Sequence, residues 1–163
     1  MQQTFGPFTI RPWQPRDRDP AAALIASVLA EYGLAWEPTG ADQDVIQVET
    51  AYWQGGGEFW VIETEGTLVG TGAFYPIDRG QNAVELRKMY IALGYRGQGL
   101  GKFLLQQLEG AIAARGFTEI WIETASVLQE AVCLYERNGY QPATGVETAR
   151  CDRVYRKVLG APT

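Results

Sequence analysis

The sequence predicts an α/β fold in which a mixed central β-sheet of about seven strands is flanked by about four helices. The patterned segments follow the order β-α-α-β-β-β-α-β-α-β-β, which places antiparallel strands first and a helical crossover later. The chain has 163 residues, 46% of them hydrophobic, which suits one domain with a substantial core. We expect that domain to span residues 1–163, with its core at about residues 8–159.

The first third of the chain predicts one short strand and two helices. Residues 8–11 alternate as a strand does, until Pro12 ends the run. Apolar residues then recur at helical spacing over residues 20–33, where Asp19 is the expected N-cap and a glycine ends the helix. After a loop, a second helix is predicted over residues 44–54.

The middle of the chain predicts three consecutive strands joined by tight turns. They are rich in aromatic and β-branched residues, and glycine-containing turns separate them. The three strands are residues 58–64, 67–77 and 83–92. Short turns place such strands next to each other and antiparallel in one sheet.

The last third of the chain alternates helices with strands. The helix at residues 100–115 has an apolar stripe on one face, and Gly116 follows its end. A second helix, which another glycine also ends, is predicted at residues 128–138. The strands of this part are residues 118–124, 140–146 and 150–159.

The most informative segment joins the third of the consecutive strands to the helix that follows it. Its sequence is Arg96-Gly97-Gln98-Gly99-Leu100-Gly101. Alternating glycines remove side chains where backbone N–H groups must approach a ligand closely. A helix N-terminus adds unpaired donors and a positive potential, so the segment is typical of a phosphate-binding loop. A glycine-rich turn without a ligand is the alternative.

Two better-known phosphate loops do not fit this segment. In the dinucleotide pattern G-x-G-x-x-G, the third glycine would fall on Lys102 or on Leu104. In the P-loop pattern, Arg96 would replace the first glycine, and Phe103 stands where a hydroxyl should bind magnesium. The spacing therefore disfavours an oxidoreductase with a nucleotide cofactor.

The pattern R-x-x-G-x-G between a strand and a helix resembles the pyrophosphate loop of the GNAT acetyltransferase superfamily. Two more segments resemble the same family in order and spacing: residues 84–91, with the sequence VELRKMYI, and residues 131–140, with the sequence AVCLYERNGY. The resemblance extends over about residues 8–159. It implies the GNAT fold and an N-acetyltransferase that uses acetyl-CoA as cosubstrate.

The absence of histidine limits the chemistry that the chain can perform. It excludes histidine-based triads, histidine general bases and HExxH zinc sites, and we expect no metal. The two cysteines are too few for a disulfide framework and form no C-x-x-C pair. Any acid–base chemistry must use carboxylates, tyrosine, cysteine, lysine or water.

The charge balance is acidic, with 14 basic and 19 acidic residues and a formal net charge of −5. Such a chain is a poor generic nucleic-acid binder, because that affinity comes from neutralising phosphates. No apolar stretch approaches the roughly 20 residues of a membrane span, and the N-terminus has no signal-peptide pattern. We expect a cytoplasmic protein without nucleic-acid or membrane partners, and the sequence leaves open whether it forms a homodimer.

The resemblance implies which residues hold the cofactor. The family uses the strand before the glycine loop, the loop itself and the last helix. There this chain has Leu128 in place of a frequent asparagine, so either Gln129 substitutes for it or the contact is missing. The implied contacts are Met89, Tyr90, Ile91, Arg96, Gly97, Gln98, Gly99, Leu100, Gly101, Lys102 and Gln129. The Met89 N–H is the implied oxyanion donor. Basic residues should concentrate at this site: Arg87, Lys88, Arg96 and Lys102.

The resemblance also implies two catalytic side chains. Glu85 matches a family position whose carboxylate acts as general base, and it lies four residues before Met89, hence on the same strand face by the period-two rule. The alternative is a structural carboxylate paired with Arg87. Tyr135 matches the family tyrosine that acts as general acid toward the coenzyme A sulfur, and the alternative is an amphipathic core residue.

The acceptor is expected to be a primary amine of a small molecule or a protein. Aromatic side chains and carboxylates suit an ammonium group through cation–π contacts and charge pairing. The candidates in the first two helices, their loop and the next strands are Glu31, Tyr32, Trp36 and Tyr75, with Glu37, Tyr52 and Trp53 beside them. The same residues are also compatible with core aromatics and a solvated acidic face. A coenzyme A-binding sensor of the same fold, without turnover, is the alternative function.

Overall fold

The computed structural model describes residues 1–160 and confirms the mixed α/β architecture. Within these residues, eight strands form one sheet in the order β1-β2-β3-β4-β5-β6-β8-β7. The strands are β1 (Gln3–Phe5), β2 (Phe8–Pro12), β3 (Glu58–Thr64), β4 (Thr67–Ile77), β5 (Ala83–Ile91), β6 (Glu119–Thr124), β7 (Gln141–Ala143) and β8 (Arg153–Val158). The sheet exceeds the predicted count because β1 folds back on β2 as a hairpin.

The helices are α1 (Arg18–Glu31), α2 (Gln43–Ile46), α3 (Leu100–Ala114) and α4 (Gln129–Arg137). The predicted N-cap of the first helix is wrong, because Asp17 rather than Asp19 precedes it. The second predicted helix is broken into α2 and a π-helical turn (Glu49–Trp53). Arg18 donates to the Ile46 carbonyl at 2.5 Å and occupies an acceptor that a continuous helix would use internally. No helix in residues 1–160 is long and apolar enough to cross a membrane.

Two apolar clusters lie on opposite faces of the sheet. One is centred on α3, whose Leu104 and Leu108 pack against β4 and β5. The other lies under α1 and α2 and contains Leu29 and Tyr52. Each helix pair thus covers one face, and side chains that alternate along a central strand are divided between the two clusters.

The parallel strands β5 and β6 separate after a short paired stretch. Pairing is limited to residues 83–85 of β5 and 119–121 of β6. Residues 86–91 of β5 continue to pair with β4 on their other side. Within residues 1–160, the backbone groups that face β6 along this stretch therefore have no partner strand, and a cleft opens between the two strands.

A β-bulge interrupts β5 where the cleft begins. The register with β4 shifts between the Thr71–Tyr90 and Ala73–Arg87 pairs, and Lys88 has a left-handed φ of 54°. As a result, Arg87 and Lys88 both reach the α1–α2 side, whereas Met89 packs in the cluster centred on α3. The expectation that Glu85 and Met89 share a face was wrong, because the period-two rule does not hold across a bulge.

Candidate active site

The cleft between β5 and β6 has a volume of about 780 Å³ and reaches from the glycine loop to the C-terminal end of α1. Most of the predicted cofactor residues line it: Met89, Tyr90, Ile91, Arg96, Gly97, Gly99, Gly101, Lys102 and Gln129. Gln98 and Leu100 do not, because Gln98 is exposed outside the cleft and Leu100 is a core residue, 1% exposed. Nine of the eleven predicted cofactor residues therefore line one cleft.

The glycine loop has the geometry of an anion site. Gly97 and Gly99 are exposed and adopt left-handed backbone, with φ of 78° and 82°. Gly99 directly precedes α3, whose first N–H groups have no acceptor within the helix. A side chain at either glycine would be strained in this left-handed conformation. The loop therefore fits a phosphate group.

The basic residues around the loop do not all serve it. Arg96 forms a bidentate ion pair with Glu31, at 2.9 and 3.0 Å, and its Nε donates to the Ile91 carbonyl at 2.8 Å. It ties the loop to α1. Arg87 and Lys88 also line the cleft, but their charged ends pair with aspartates on the α1–α2 side. Lys102, exposed in the first turn of α3, is the predicted cation that remains placed to meet an anionic ligand.

The Met89 N–H is oriented by the bulge. The Thr71 hydroxyl donates to the Lys88 carbonyl at 2.7 Å. That carbonyl and the Met89 N–H belong to one trans peptide group, whose C=O and N–H point in opposite directions. The N–H is therefore directed away from Thr71 and β4, and Met89 lines the cleft.

Tyr135 of α4 lines the cleft with its ring packed in the core. The residue is 4% exposed, and its ring lies 5.8 Å from that of Tyr140. Burial raises the pKa of Tyr135 well above its usual range, and the nearby Tyr90 and Cys151 raise it further. The hydroxyl therefore keeps its proton at neutral pH and can act as a hydrogen-bond donor.

Glu85 is a half-buried carboxylate outside the cleft lining. Its Oε2 lies 3.2 Å from the Arg87 guanidinium. Burial raises its pKa; the Arg87 charge opposes the shift, and Glu123 and Glu147 add to it. The ion pair with Arg87 agrees with the alternative that Glu85 is a structural carboxylate. The raised pKa of Glu85, in contrast, is a property that a general base can use.

Glu123 of β6 is a cleft carboxylate that sequence reasoning missed. Its side chain is 4% exposed and accepts hydrogen bonds from Arg79 at 3.1 Å and from the N–H groups of Glu147 and Thr148. It lines the cleft, as Glu85 does not. The alternation of β6 could have predicted this position. Ile122 is a core residue on the α3 side, so its neighbour Glu123 must face the other side of the sheet.

The predicted acceptor residues do not form one site. Tyr32 lines the cleft, but Glu31 is occupied by Arg96. Trp36 packs half-buried against the core under α1. Tyr75 lines a separate small pocket and accepts a hydrogen bond from Arg87 at 2.5 Å. These residues are separated because the sheet directs their side chains to different faces. The sequence pattern does not show which face each side chain occupies.

The other candidate aromatics have structural contacts. Tyr52 is fully buried and donates a hydrogen bond to Asp44. Trp53 is 46% exposed and stacks edge-on against Trp13, with ring centroids 5.5 Å apart. Glu37 lies 3.5 Å from Arg150 across the loop between α1 and α2. None of the three lines the cleft.

A buried ion cluster joins three segments beside the cleft. Asp42, which is fully buried, pairs with Arg150 at 2.6 and 2.9 Å and with the Lys88 ammonium at 3.0 Å. Arg150 also donates to the Ala35 carbonyl at 2.9 Å. The cluster fastens the α1–α2 loop to the β5 bulge and to the β7–β8 loop.

Two titratable groups of the cleft are protonated at neutral pH. Tyr90 and Cys151 line the cleft beside Tyr135. Burial raises the pKa of Tyr90 to about 12 and that of the Cys151 thiol to about 11. Both groups are therefore protonated, and an amine would meet a thiol rather than a thiolate at Cys151.

Comparison with known proteins agrees with this geometry. A model of the acetyltransferase (GNAT) family matches residues 25–140. The Escherichia coli (strain K12) protein called Uncharacterized N-acetyltransferase YjgM is 36% identical over 129 residues, which are 77% of this chain and 77% of that protein. The Mus musculus protein called Probable N-acetyltransferase family 8 member 5 is 30% identical over 101 residues, covering 60% of this chain and 44% of the mouse protein.

Solved structures share the fold at low identity. An acetyltransferase of the GNAT family from Staphylococcus aureus Mu50 superposes with a TM-score of 0.85 at 22% identity, over 94% of this chain and 99% of that one. The acetyltransferase yncA from Salmonella typhimurium, solved with its cofactor acetyl-CoA, has a TM-score of 0.73 at 18% identity over 94% and 95% of the two chains. The family match and the E. coli relative together establish that the chain belongs to the GNAT family of acetyltransferases.

Proposed function

We propose that this chain transfers an acetyl group from acetyl-CoA to a primary amine of a small molecule or a protein. One observation carries the proposal: the strands β5 and β6 separate to open a cleft that the glycine loop and Tyr135 both line. The cleft therefore joins an anion site to a buried, protonated phenol. The Salmonella structure with acetyl-CoA, which has the same fold, supports the cofactor assignment.

The glycine loop would hold the pyrophosphate of the cosubstrate. Backbone donors of Gly97, Gly99 and Gly101 would meet the phosphate oxygens, and Lys102 would add a positive charge. The unpaired edge of residues 86–91 would hold the pantetheine arm. Acetyl-CoA supplies the activated thioester, and the residues of this chain orient it.

The Met89 N–H would stabilise the oxyanion as the amine attacks the thioester carbonyl. It points away from Thr71 and lies on the strand edge that β6 has left. A fixed backbone donor aimed at developing charge needs no reorganisation during the reaction. Tyr135 would then protonate the departing thiolate as the carbon–sulfur bond breaks.

The attacking amine must lose protons, and two carboxylates could accept one. Glu85 has a raised pKa but is paired with Arg87, and Glu123 lines the cleft but accepts three donors. We propose Glu85 as the general base, acting through water, with Glu123 as the competing candidate. Histidine, the usual residue for this role, is absent from the chain.

The cofactor assignment predicts a thermal shift that depends on Gly99. Acetyl-CoA should raise the Tm of the wild-type chain by mass action, whereas NAD and ATP should not. Gly99→Val should abolish the shift, because φ at this position is 82° and a β-branched residue is strained there, so the loop would lose the backbone conformation that presents its donors. Differential scanning fluorimetry with each ligand measures the effect.

Gly94→Ala is the matched control for this experiment. Gly94 lies outside the cleft lining, and nothing lies within 4 Å of a Cβ added there. This variant should keep the full shift. A full acetyl-CoA shift in Gly99→Val would contradict the role of the loop.

The base assignment predicts different pH profiles for Glu85→Gln and Glu123→Gln. Removal of the true base should lower kcat/KM by on the order of 10²-fold at neutral pH, with recovery at high pH where the amine is already neutral. The raised pKa of Glu85 places the rising limb of the wild-type profile above the range of an ordinary glutamate. Thiol release with a panel of primary amines measures the rate.

Each glutamine variant serves as the control for the other, because both carboxylates lie near Arg79. If Glu123→Gln lowers kcat/KM at neutral pH and recovers at high pH, while Glu85→Gln keeps wild-type rates, then Glu123 is the general base. Wild-type rates at every pH in both variants would show that the enzyme uses the free amine without a carboxylate base. No thiol release with any amine would favour the sensor function.

A further inference from the structure

Lys88 occupies a backbone conformation that its residue type disfavours. Its φ of 54° lies in the left-handed region, where a Cβ crowds the backbone and glycine is the usual residue. The position is the bulge of β5, one residue before the proposed oxyanion donor. A lysine held there needs compensating contacts, since the surrounding structure must over-determine such a conformation.

The side chain of Lys88 supplies those contacts. It is 4% exposed, and its Nζ donates to the Ala41 carbonyl at 2.8 Å. The same ammonium lies 3.0 Å from Asp42 and 3.4 Å from Asp44. A buried ammonium with these partners cannot move without losing all three contacts, and it would then be left buried and unpaired. The contacts therefore fix the Lys88 side chain relative to the α1–α2 loop.

The partner of Lys88 is itself immobilised. Asp42 accepts two hydrogen bonds from Arg150 and one from the Glu37 N–H at 2.9 Å. Arg150 comes from the β7–β8 loop and lines the cleft. The anchor of Lys88 is thus part of the wall of the cleft rather than a flexible surface group.

We propose that Lys88 is a positioning residue: its buried ammonium holds the β5 bulge in its left-handed form and so aims the Met89 N–H at the thioester carbonyl. The inference rests on the proposed function of the cleft. The Thr71 hydroxyl holds the carbonyl end of the same peptide group at 2.7 Å. The Lys88 ammonium and the Thr71 hydroxyl together determine the direction of the Met89 N–H.

The carbonyl stretch of bound acetyl-CoA tests the proposal without an acceptor amine. A hydrogen bond from the Met89 N–H should polarise the carbonyl and lower its stretching frequency. Isotope-edited infrared spectroscopy with acetyl-CoA labelled with ¹³C at the carbonyl measures this shift. Titration with coenzyme A, which has no acetyl carbonyl, measures the affinity of the remaining contacts.

Three lysine variants separate the anchor from other effects. Lys88→Ala removes the ammonium but keeps the unfavourable Cβ, so it should lose most of the carbonyl shift while its Kd for coenzyme A stays within about twofold of wild type. Lys88→Gly removes both and adopts positive φ without strain, so it should retain more of the shift. Lys157→Ala removes a lysine paired with Glu109 at 2.9 Å, outside the cleft, and should keep the full shift.

The outcomes are decisive in each case. A wild-type carbonyl frequency in Lys88→Ala, or no advantage of Lys88→Gly over Lys88→Ala, overturns the proposal. Should Lys88→Ala fail to fold, Thr71→Val decides, since the proposal requires a reduced shift in that variant and an unreduced one overturns it. If wild type binds acetyl-CoA with an unshifted carbonyl, the positioning role alone fails. If it does not bind acetyl-CoA, the proposed function fails with it.

Discussion

Replacing Tyr135 with phenylalanine is expected to lower kcat by about ten- to a thousand-fold while the fold stays intact. The hydroxyl is the proposed proton donor to the departing thiolate, and burial keeps it protonated at neutral pH. The ring remains in Tyr135→Phe and preserves the packing of α4 against the sheet. We expect the free energy of unfolding to change by no more than about 1 kcal/mol. Steady-state thiol release and urea denaturation measure the two quantities.

Tyr140→Phe is the matched control for this variant. Tyr140 is 3% exposed in the same cluster, and its hydroxyl donates to Glu109 at 2.8 Å, outside the cleft. Its loss should cost about 1 kcal/mol of stability and leave kcat unchanged. Wild-type turnover in Tyr135→Phe would assign Tyr135 to the core alone. Protonation of the thiolate would then fall to water.

The parts of the fold that sequence predicted well depend on local chemistry. The bounds of β3 and β4 match the predicted residues 58–64 and 67–77, because a two-residue turn and β-branched runs define them. The glycine loop was placed at the cleft for the same reason, since backbone freedom at Gly97 and Gly99 is a property of the residue type. Local signals of this kind require no knowledge of distant partners.

The parts that were mispredicted depend on long-range contacts or on a change of periodicity. Asp42 and Arg150 are 108 residues apart in the chain, and nothing beside either residue indicates that they meet. The bulge at Lys88 reverses the face of every later residue of β5, although lysine is not a residue that favours positive φ. The acceptor candidates were chosen by residue type, and the sheet then distributed them over separate surroundings.

Asp42→Ala is expected to lower the free energy of unfolding by about 3–5 kcal/mol at pH 7, because it leaves the buried Lys88 and Arg150 charges without their shared partner. Such a loss is a large share of the total stability of an ordinary domain. Glu37→Ala is the control. Glu37 also approaches Arg150, at 3.5 Å, but its side chain is 44% exposed, so we expect a loss of about 0–1 kcal/mol.

The pH dependence of the stability difference between wild type and Asp42→Ala tests whether that difference is electrostatic. Burial alone would raise the pKa of Asp42, but Arg150 and Lys88 outweigh it and lower the pKa from 3.8 to about 2. A carboxylate with a depressed folded-state pKa contributes its full stability above its unfolded pKa and loses it as the pH falls through the folded value. The gap between wild type and Asp42→Ala should therefore be constant from pH 7 to about 5 and narrow between about pH 4 and 2. Urea denaturation across this range measures the gap. A gap below about 1 kcal/mol at pH 7 would mean that Asp44, Glu37 and water compensate the two cations without Asp42.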